Sequence, residues 1–182
     1  IPYHVCPVTV AGVRKWIYAG AAKMYTVDAA GGTVTHTNIT RQTTGVDVDY
    51  TGTINGWTSC VLSGVPILNN GTDAPQQWLL TGKATALSNW PASTTCKSLR
   101  VYKNSLIAIN VTESSTNYPF MIRWSTAADP GSVPASWDYT SATVDAGRVD
   151  VSDSLGGELV DGLALRDSFM IYAKQAVFRM DY

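Results

Sequence analysis

Short runs of β-branched and aromatic residues alternate with clusters of turn formers along the whole chain, a pattern that predicts strands throughout. The clusters Gly31-Gly32, Asn69-Asn70-Gly71, Asp129-Pro130-Gly131 and Gly156-Gly157 mark the breaks. No long window keeps apolar residues at helical spacing free of Gly, Pro or a Thr/Val run, so helices are not predicted. Continuous apolar runs such as Leu106–Ile109 and Phe169–Tyr172 predict strands buried on both faces.

The runs repeat. Trp16-Ile17-Tyr18-Ala19 leads through a short turn to Lys23–Asp28, and Phe169–Ala173 leads in the same way to Val177–Asp181. Ser105–Ile109 pairs with Pro119–Trp124 across what reads as a longer loop. A weaker copy runs from Val65–Asn69 toward Pro75-Gln76-Gln77-Trp78. Lys103-Asn104-Ser105-Leu106 also matches Arg166-Asp167-Ser168-Phe169, each after an apolar run, Leu99–Tyr102 and Leu159–Leu165. The hairpins begin near residues 16, 65, 105 and 168, at intervals of 49, 40 and 63, which suits propeller blades with loop insertions. The expected fold is therefore all-β, with repeated antiparallel hairpins forming β-propeller blades in one segment over residues 1–182. An immunoglobulin-like sandwich would show cleaner alternation and less repetition.

Composition agrees with a packed domain. The 182 residues are 45% hydrophobic, enough for a substantial core, and only 15% charged. A net charge of −1 with scattered Lys and Arg offers no basic stripe for gripping phosphate. No apolar run reaches the length of a membrane span, and Ile1–Cys6 does not read as a signal peptide. Without an initiator Met, and ending just after a strand-like run, the sequence reads as a segment of a longer polypeptide.

Candidate chemistry is sparse. Cys6, Cys60 and Cys96 are widely spaced, and with His4 and His36 they match no zinc pattern; buried free thiols are the expectation. Arg123–Trp137 is similar to the Asp-box hairpin of sialidase-type propellers, an architectural motif, with Asp129 expected to cap backbone N–H groups at the turn. Asp150, Asp153 and Glu158 around Gly156-Gly157 offer oxygen ligands of the kind Ca²⁺ takes, at a spacing that fits no EF-hand. Glycoside hydrolysis needs two carboxylates, and nothing singles out a pair among Asp47, Asp49, Asp145 and Asp161. The six tryptophans read as space-fillers between blades, and the sequons at Asn38, Asn70 and Asn110 as chance matches in a Thr-rich chain. No catalytic, cofactor-binding or metal-binding residue is assigned, and an enzyme is not expected.

Two stretches resemble a known family. Ser98–Ala108 continues through Tyr118–Ser125 to Asp129–Trp137, and Asp161–Tyr172 continues to Val177–Met180. Asn55-Gly56-Trp57 and Asn69-Asn70-Gly71, followed by Pro75–Trp78, fit the same order. Together they resemble the nozzle, or tail-tubular-B-like, structural proteins of short-tailed bacteriophages. The resemblance implies a propeller-containing subunit of the virion tail, made in the host bacterial cytoplasm and set in a ring, as a hexamer, around the DNA exit channel. Portal, adaptor and fibre proteins would be its neighbours, DNA would pass without being gripped, and no catalytic residue or cofactor comes with the family. Loops Thr112–Tyr118 and Thr140–Gly157 are the expected partner contacts. The alternative is a carbohydrate-binding or glycan-hydrolysing propeller, such as a receptor-binding tail protein, which would show a pocket where Arg, Trp and carboxylates converge.

Overall fold

A computed structural model describes residues 1–29, 32–151 and 156–181. Strands β1 (His4–Val10), β2 (Val13–Ala19), β3 (Met24–Asp28) and β4 (Thr35–Asn38) pair in chain order as an antiparallel meander, sheet 1. A small hairpin follows, β5 (Gln42–Thr43) with β6 (Val46–Asp47). Sheet 2 comprises β7 (Thr58–Leu62), β8 (Val65–Asn69), β9 (Gln76–Gln77) and β10 (Thr85–Ala86). Sheet 3 comprises β11 (Thr94–Tyr102), β12 (Ser105–Glu113), β13 (Thr116–Trp124) and β14 (Gly147–Asp150). Sheet 4 has three strands, β15 (Leu159–Leu165), β16 (Ser168–Ala173) and β17 (Val177–Asp181).

The chain is thus all-β and antiparallel. Each hairpin read from the sequence is the second and third strand of a sheet: β2–β3, β8–β9, β12–β13 and β16–β17. The described residues form five separate sheets and do not close into a ring.

Turn chemistry fixes the registers. Ala11-Gly12 and Ser63-Gly64 hold positive φ at both positions, the backbone sense that matches the twist of tight hairpins. The long loop expected between β12 and β13 is absent. The two strands run on until Glu113 faces Thr116, and Ser114-Ser115 turn with φ of 47° and 69°. Residues 112–118 are therefore a hairpin tip and not an insertion, because hydroxyl-rich residues pair as strand when a two-residue turn fixes them. Residues 140–157 likewise include a strand, β14, paired with β13. Since Ser115 takes the left-handed conformation without glycine's freedom, Ser115→Gly should stabilise the chain by up to about 1 kcal/mol. A lower urea midpoint in the variant would contradict this reading of the turn.

Strand alternation distributes the core into three layers. On β8, Val65 and Ile67 face sheet 3, whereas Leu68 packs with Ile17, Met24 and Trp78 against sheet 1. On β12, Leu106 and Ala108 face sheet 2, and Ile107 and Ile109 face sheet 4. Sheets 2 and 3 are thus buried on both sides, as their continuous apolar runs predict. Phe169–Tyr172 departs from that expectation. Phe169 and Ile171 are buried against sheet 3, Met170 is only half-buried and Tyr172 is exposed. Sheet 4 has one packed face, so its apolar run is only half inside.

Candidate functional site

Polar chemistry gathers where the first strands of successive sheets run side by side. A cleft of about 490 Å³ opens there, lined among others by Trp57, Asn70, Lys97, Arg100, Asn117 and Asp161. Arg100 sits on β11 because alternation turns Leu99 into the core and leaves the guanidinium on the other face. It grips Asp161 of β15 through two bonds, Nε to Oδ1 at 2.8 Å and a terminal nitrogen to Oδ2 at 2.7 Å. Its other terminal nitrogen donates to the Ser59 carbonyl of β7 at 2.9 Å, so one side chain ties three sheets. Ser98 Oγ donates to Asp161 Oδ1 at 2.5 Å.

Burial pushes the Asp161 carboxyl up, but Arg100, Ser98 and the Gly162 N–H outweigh it and hold the group below the ordinary value of 3.8. A depressed folded value means the contribution is fully present above pH 3.8 and disappears as pH falls through the lower folded value. Asp161→Asn should therefore reduce the acid dependence of unfolding in that window. An unchanged slope would show the pair to be inert. His4 of β1 bonds Ser59 Oγ at 2.8 Å, and burial, with Arg100 nearby, lowers its pKa below 6.5. It adds stability at neutral pH that is lost as pH falls from 6.5 to the lower folded value.

Asparagines repeat this pattern. Asn69, ending β8, donates to the Cys96 carbonyl at 3.0 Å, and Asn110 donates to the Leu159 carbonyl at 3.0 Å. Asn110 reaches it from a bulge in β12, at φ 55°. Each fastens the second strand of one sheet to the first strand of the next. Asn117 donates to Asn110 Oδ1 at 3.0 Å.

Arg, Trp and a carboxylate do converge in this cleft, but they are already occupied. Trp57 is buried and gives its indole N–H to the Gly20 carbonyl at 3.1 Å. Asp161 is the one carboxylate among the lining residues, and Arg100 holds both its oxygens. The constellation joins sheets, and among the described residues lining the cleft Trp57 is buried and Asp161 is the one carboxylate.

The other sequence candidates lie apart. Asp47 accepts from Asn38, Gln42 and Lys83, which hold its pKa down at about 2, and Lys23 pairs with Asp49 at 2.6 Å. Asp145 uses its backbone carbonyl to hold the Trp124 indole. At the Asp129 turn the backbone carbonyl, not the carboxylate, accepts the bonds from Ser132. The proposed capping is thus corrected: Pro130 and Gly131, with Gly131 at φ 76°, set the turn by themselves. Of the Ca²⁺ candidates, Asp153 lies outside the described residues, and among those described no three His, Cys, Asp or Glu groups gather for a metal. No described helix is long and apolar enough to cross a membrane. The sequon residues Asn70 and Asn110 are buried. Trp16 is the exposed tryptophan; the other five pack against or within the cores.

All three cysteines are free thiols. Burial pushes Cys60 up to about 12 and raises Cys6 and Cys96. Because the thiolate is the nucleophile, a disulfide reagent should label none of them quickly in the folded chain and all three after denaturation. Rapid native labelling would contradict the packing.

A second cluster lies in the Arg123–Trp137 segment that the sequence singled out, although its partners Glu113 and Tyr139 were not foreseen. Arg123 is buried, with one terminal nitrogen 2.5 Å from Glu113 Oε1 and the other donating to the Trp137 carbonyl at 2.6 Å. The Tyr139 ring takes the guanidinium groups of Arg123 and Arg148 at 4.8 and 4.2 Å from its centroid. Trp137 meets Trp90 edge-on at 4.7 Å. The segment between β13 and β14 is thereby fixed to sheet 3.

These features define an all-β chain of serially packed meander sheets, stitched by polar contacts between first strands. No family model and no curated protein matches the chain. Among solved structures, the crystal structure of the computationally designed Ika4 protein aligns with a TM-score of 0.49 and 12% identity, over 92% of this chain and 84% of that one.

Proposed function

We propose that this chain is a structural module of a bacteriophage tail, with its four serial sheets acting as blades of a β-propeller within a nozzle or tubular ring. The observation that carries the structural part is the occupied cleft. Its charged and carboxamide groups bind one another across three sheets, which suits a part that must hold its shape. Meanders packed face to face in chain order are the way propeller blades succeed one another. The tail assignment rests on the resemblance of residues 98–137 and 161–180 to nozzle proteins. On this reading the module is not an enzyme. It supports the DNA exit channel, contacts portal-side and fibre neighbours, and leaves passing DNA ungripped because it carries no basic stripe.

Cryo-electron microscopy of the particle that contains the chain tests this. A ring beneath a portal is the expected result. Location on a distal spike, with glycan bound at the cleft, would replace it with the carbohydrate reading.

A further inference from the structure

The sequence holds two Asn-Gly steps, Asn55-Gly56 and Asn70-Gly71, and the fold treats them in opposite ways. Asn70 is buried and caged. Its amide nitrogen donates to Asp73 Oδ2 at 2.6 Å. Its oxygen accepts from the backbone N–H groups of Thr72 and Asp73 at 3.0 and 2.8 Å, and from the Thr72 hydroxyl at 3.2 Å. Asn55 is exposed, in the turn that leads into β7, and its carboxamide makes no hydrogen bond to the described residues.

Gly56 supplies the other half of the chemistry. Its N–H donates to the Thr53 carbonyl at 3.1 Å, the bond that closes the turn. A Cβ at this position would clash with Thr53 Oγ1 and lie 3.0 Å from the Asn70 carbonyl, so packing keeps the residue a glycine. With no side chain of its own, its nitrogen approaches the carboxamide carbon of the preceding asparagine more readily than that of any other residue. The same turn borders the cleft that Lys97, Arg100 and Asp161 line.

We propose that Asn55 is a covalent modification site, at which the carboxamide is converted without an enzyme to aspartate and isoaspartate. The Gly56 nitrogen forms a bond to Asn55 Cγ and loses its proton. The Cγ–Nδ2 bond breaks, and the amide nitrogen leaves as ammonia. Water, the one co-reactant, then opens the cyclic imide, and no atom is oxidised or reduced. Opening at Cγ gives aspartate. Opening at the main-chain carbonyl carbon gives isoaspartate, whose backbone runs through Cγ. Either product sets a new carboxylate beside a cleft lined by two cations and one anion, where negative charge is attracted. Isoaspartate also lengthens the main chain just upstream of Trp57, whose indole anchors this loop to the Gly20 carbonyl. The site does not depend on the tail reading.

Ageing the folded chain in ammonia-free buffer at mildly alkaline pH, beside a sample unfolded in guanidinium chloride, tests this. Peptide mapping by mass spectrometry with electron-transfer fragmentation separates asparagine, aspartate and isoaspartate at each position. In the folded chain Asn55 should yield both products, with Asn70 slower by at least about tenfold because its hydrogen bonds must break first. In denaturant the two positions should convert at similar rates. Asn55→Gln should remove the main acidic species that ageing of the folded chain produces on ion exchange. Equal rates at Asn55 and Asn70 in the folded chain, or an Asn55 that converts only in denaturant, would overturn the proposal. So would aspartate as the sole product, because direct hydrolysis of the amide bypasses Gly56.

Discussion

Phe169→Ala is expected to destabilise the chain by about 3–5 kcal/mol, the range for deleting a buried aromatic ring. The side chain is fully buried between sheets 3 and 4, tilted against Tyr102 at 5.6 Å and packed with Ile107, Ile109 and Leu159. The ring lies over Gly162, where a Cβ would meet it at 2.5 Å, so the backbone of β15 is shaped around the phenyl group. That backbone is held by its own pairing and cannot collapse into the space the ring leaves. The loss is a large share of the roughly 5–15 kcal/mol that keeps an ordinary domain folded. It should also fall unevenly, since sheet 4 packs on one side only. Hydrogen exchange of the β15–β17 amides should accelerate more than that of sheets 1 and 2. A urea midpoint unchanged from wild type would show that this layer does not support the fold.

The second large effect is expected at Arg123. Arg123→Met keeps much of the apolar stem but removes the charge opposite Glu113 and the donor to the Trp137 carbonyl. Leaving one member of a buried pair alone costs about 3–5 kcal/mol, and the value here should sit near 3 because Arg148 also approaches Glu113, at 3.7 Å. Arg123→Met with Glu113→Gln should recover part of that loss, since the stranded charge is gone. The Tyr139 ring also loses one of its two cations, so the segment leading to β14 should become open to proteolysis. A loss below about 1 kcal/mol, with no new cleavage, would mark the cluster as an exposed ion pair of little weight.

The hairpins were legible in the sequence for a clear physical reason. Second strands such as Val65–Asn69 and Leu106–Ile109 are buried on both faces, so their apolar runs stand out, and a turn cluster closely follows Val65–Asn69. First strands were legible only in part: Leu99–Tyr102 and Leu159–Leu165 read as apolar runs, but Thr58–Leu62 and Thr94–Ser98 did not. In Thr58–Leu62 and Thr94–Ser98, core residues stand among Ser, Thr and Lys, including Thr58 and Lys97 of the cleft, so polarity there reads as loop. Strands of two residues, Gln76–Gln77 and Thr85–Ala86, leave no periodicity at all. The cleft was hidden for another reason. Arg100 and Asp161 stand 61 residues apart, and Asp161 was one of four undistinguished carboxylates. The Arg123 cluster was closer in sequence, yet nothing in the residue types told a bound guanidinium from a solvated one.

The serial order of the sheets also bears on how the chain is made. Each meander is assembled from consecutive strands, and its packed faces meet only the sheets before and after it. During translation, sheet 1 can pair completely once residue 38 has left the ribosome, without waiting for anything downstream. Each later meander then condenses on a finished template; its first three strands close short loops, and in sheet 3 only the connection to β14, residues 125–146, is long. Growth of the nascent polypeptide and growth of the fold run in the same direction, and the surface awaiting cover at any moment is the last face completed.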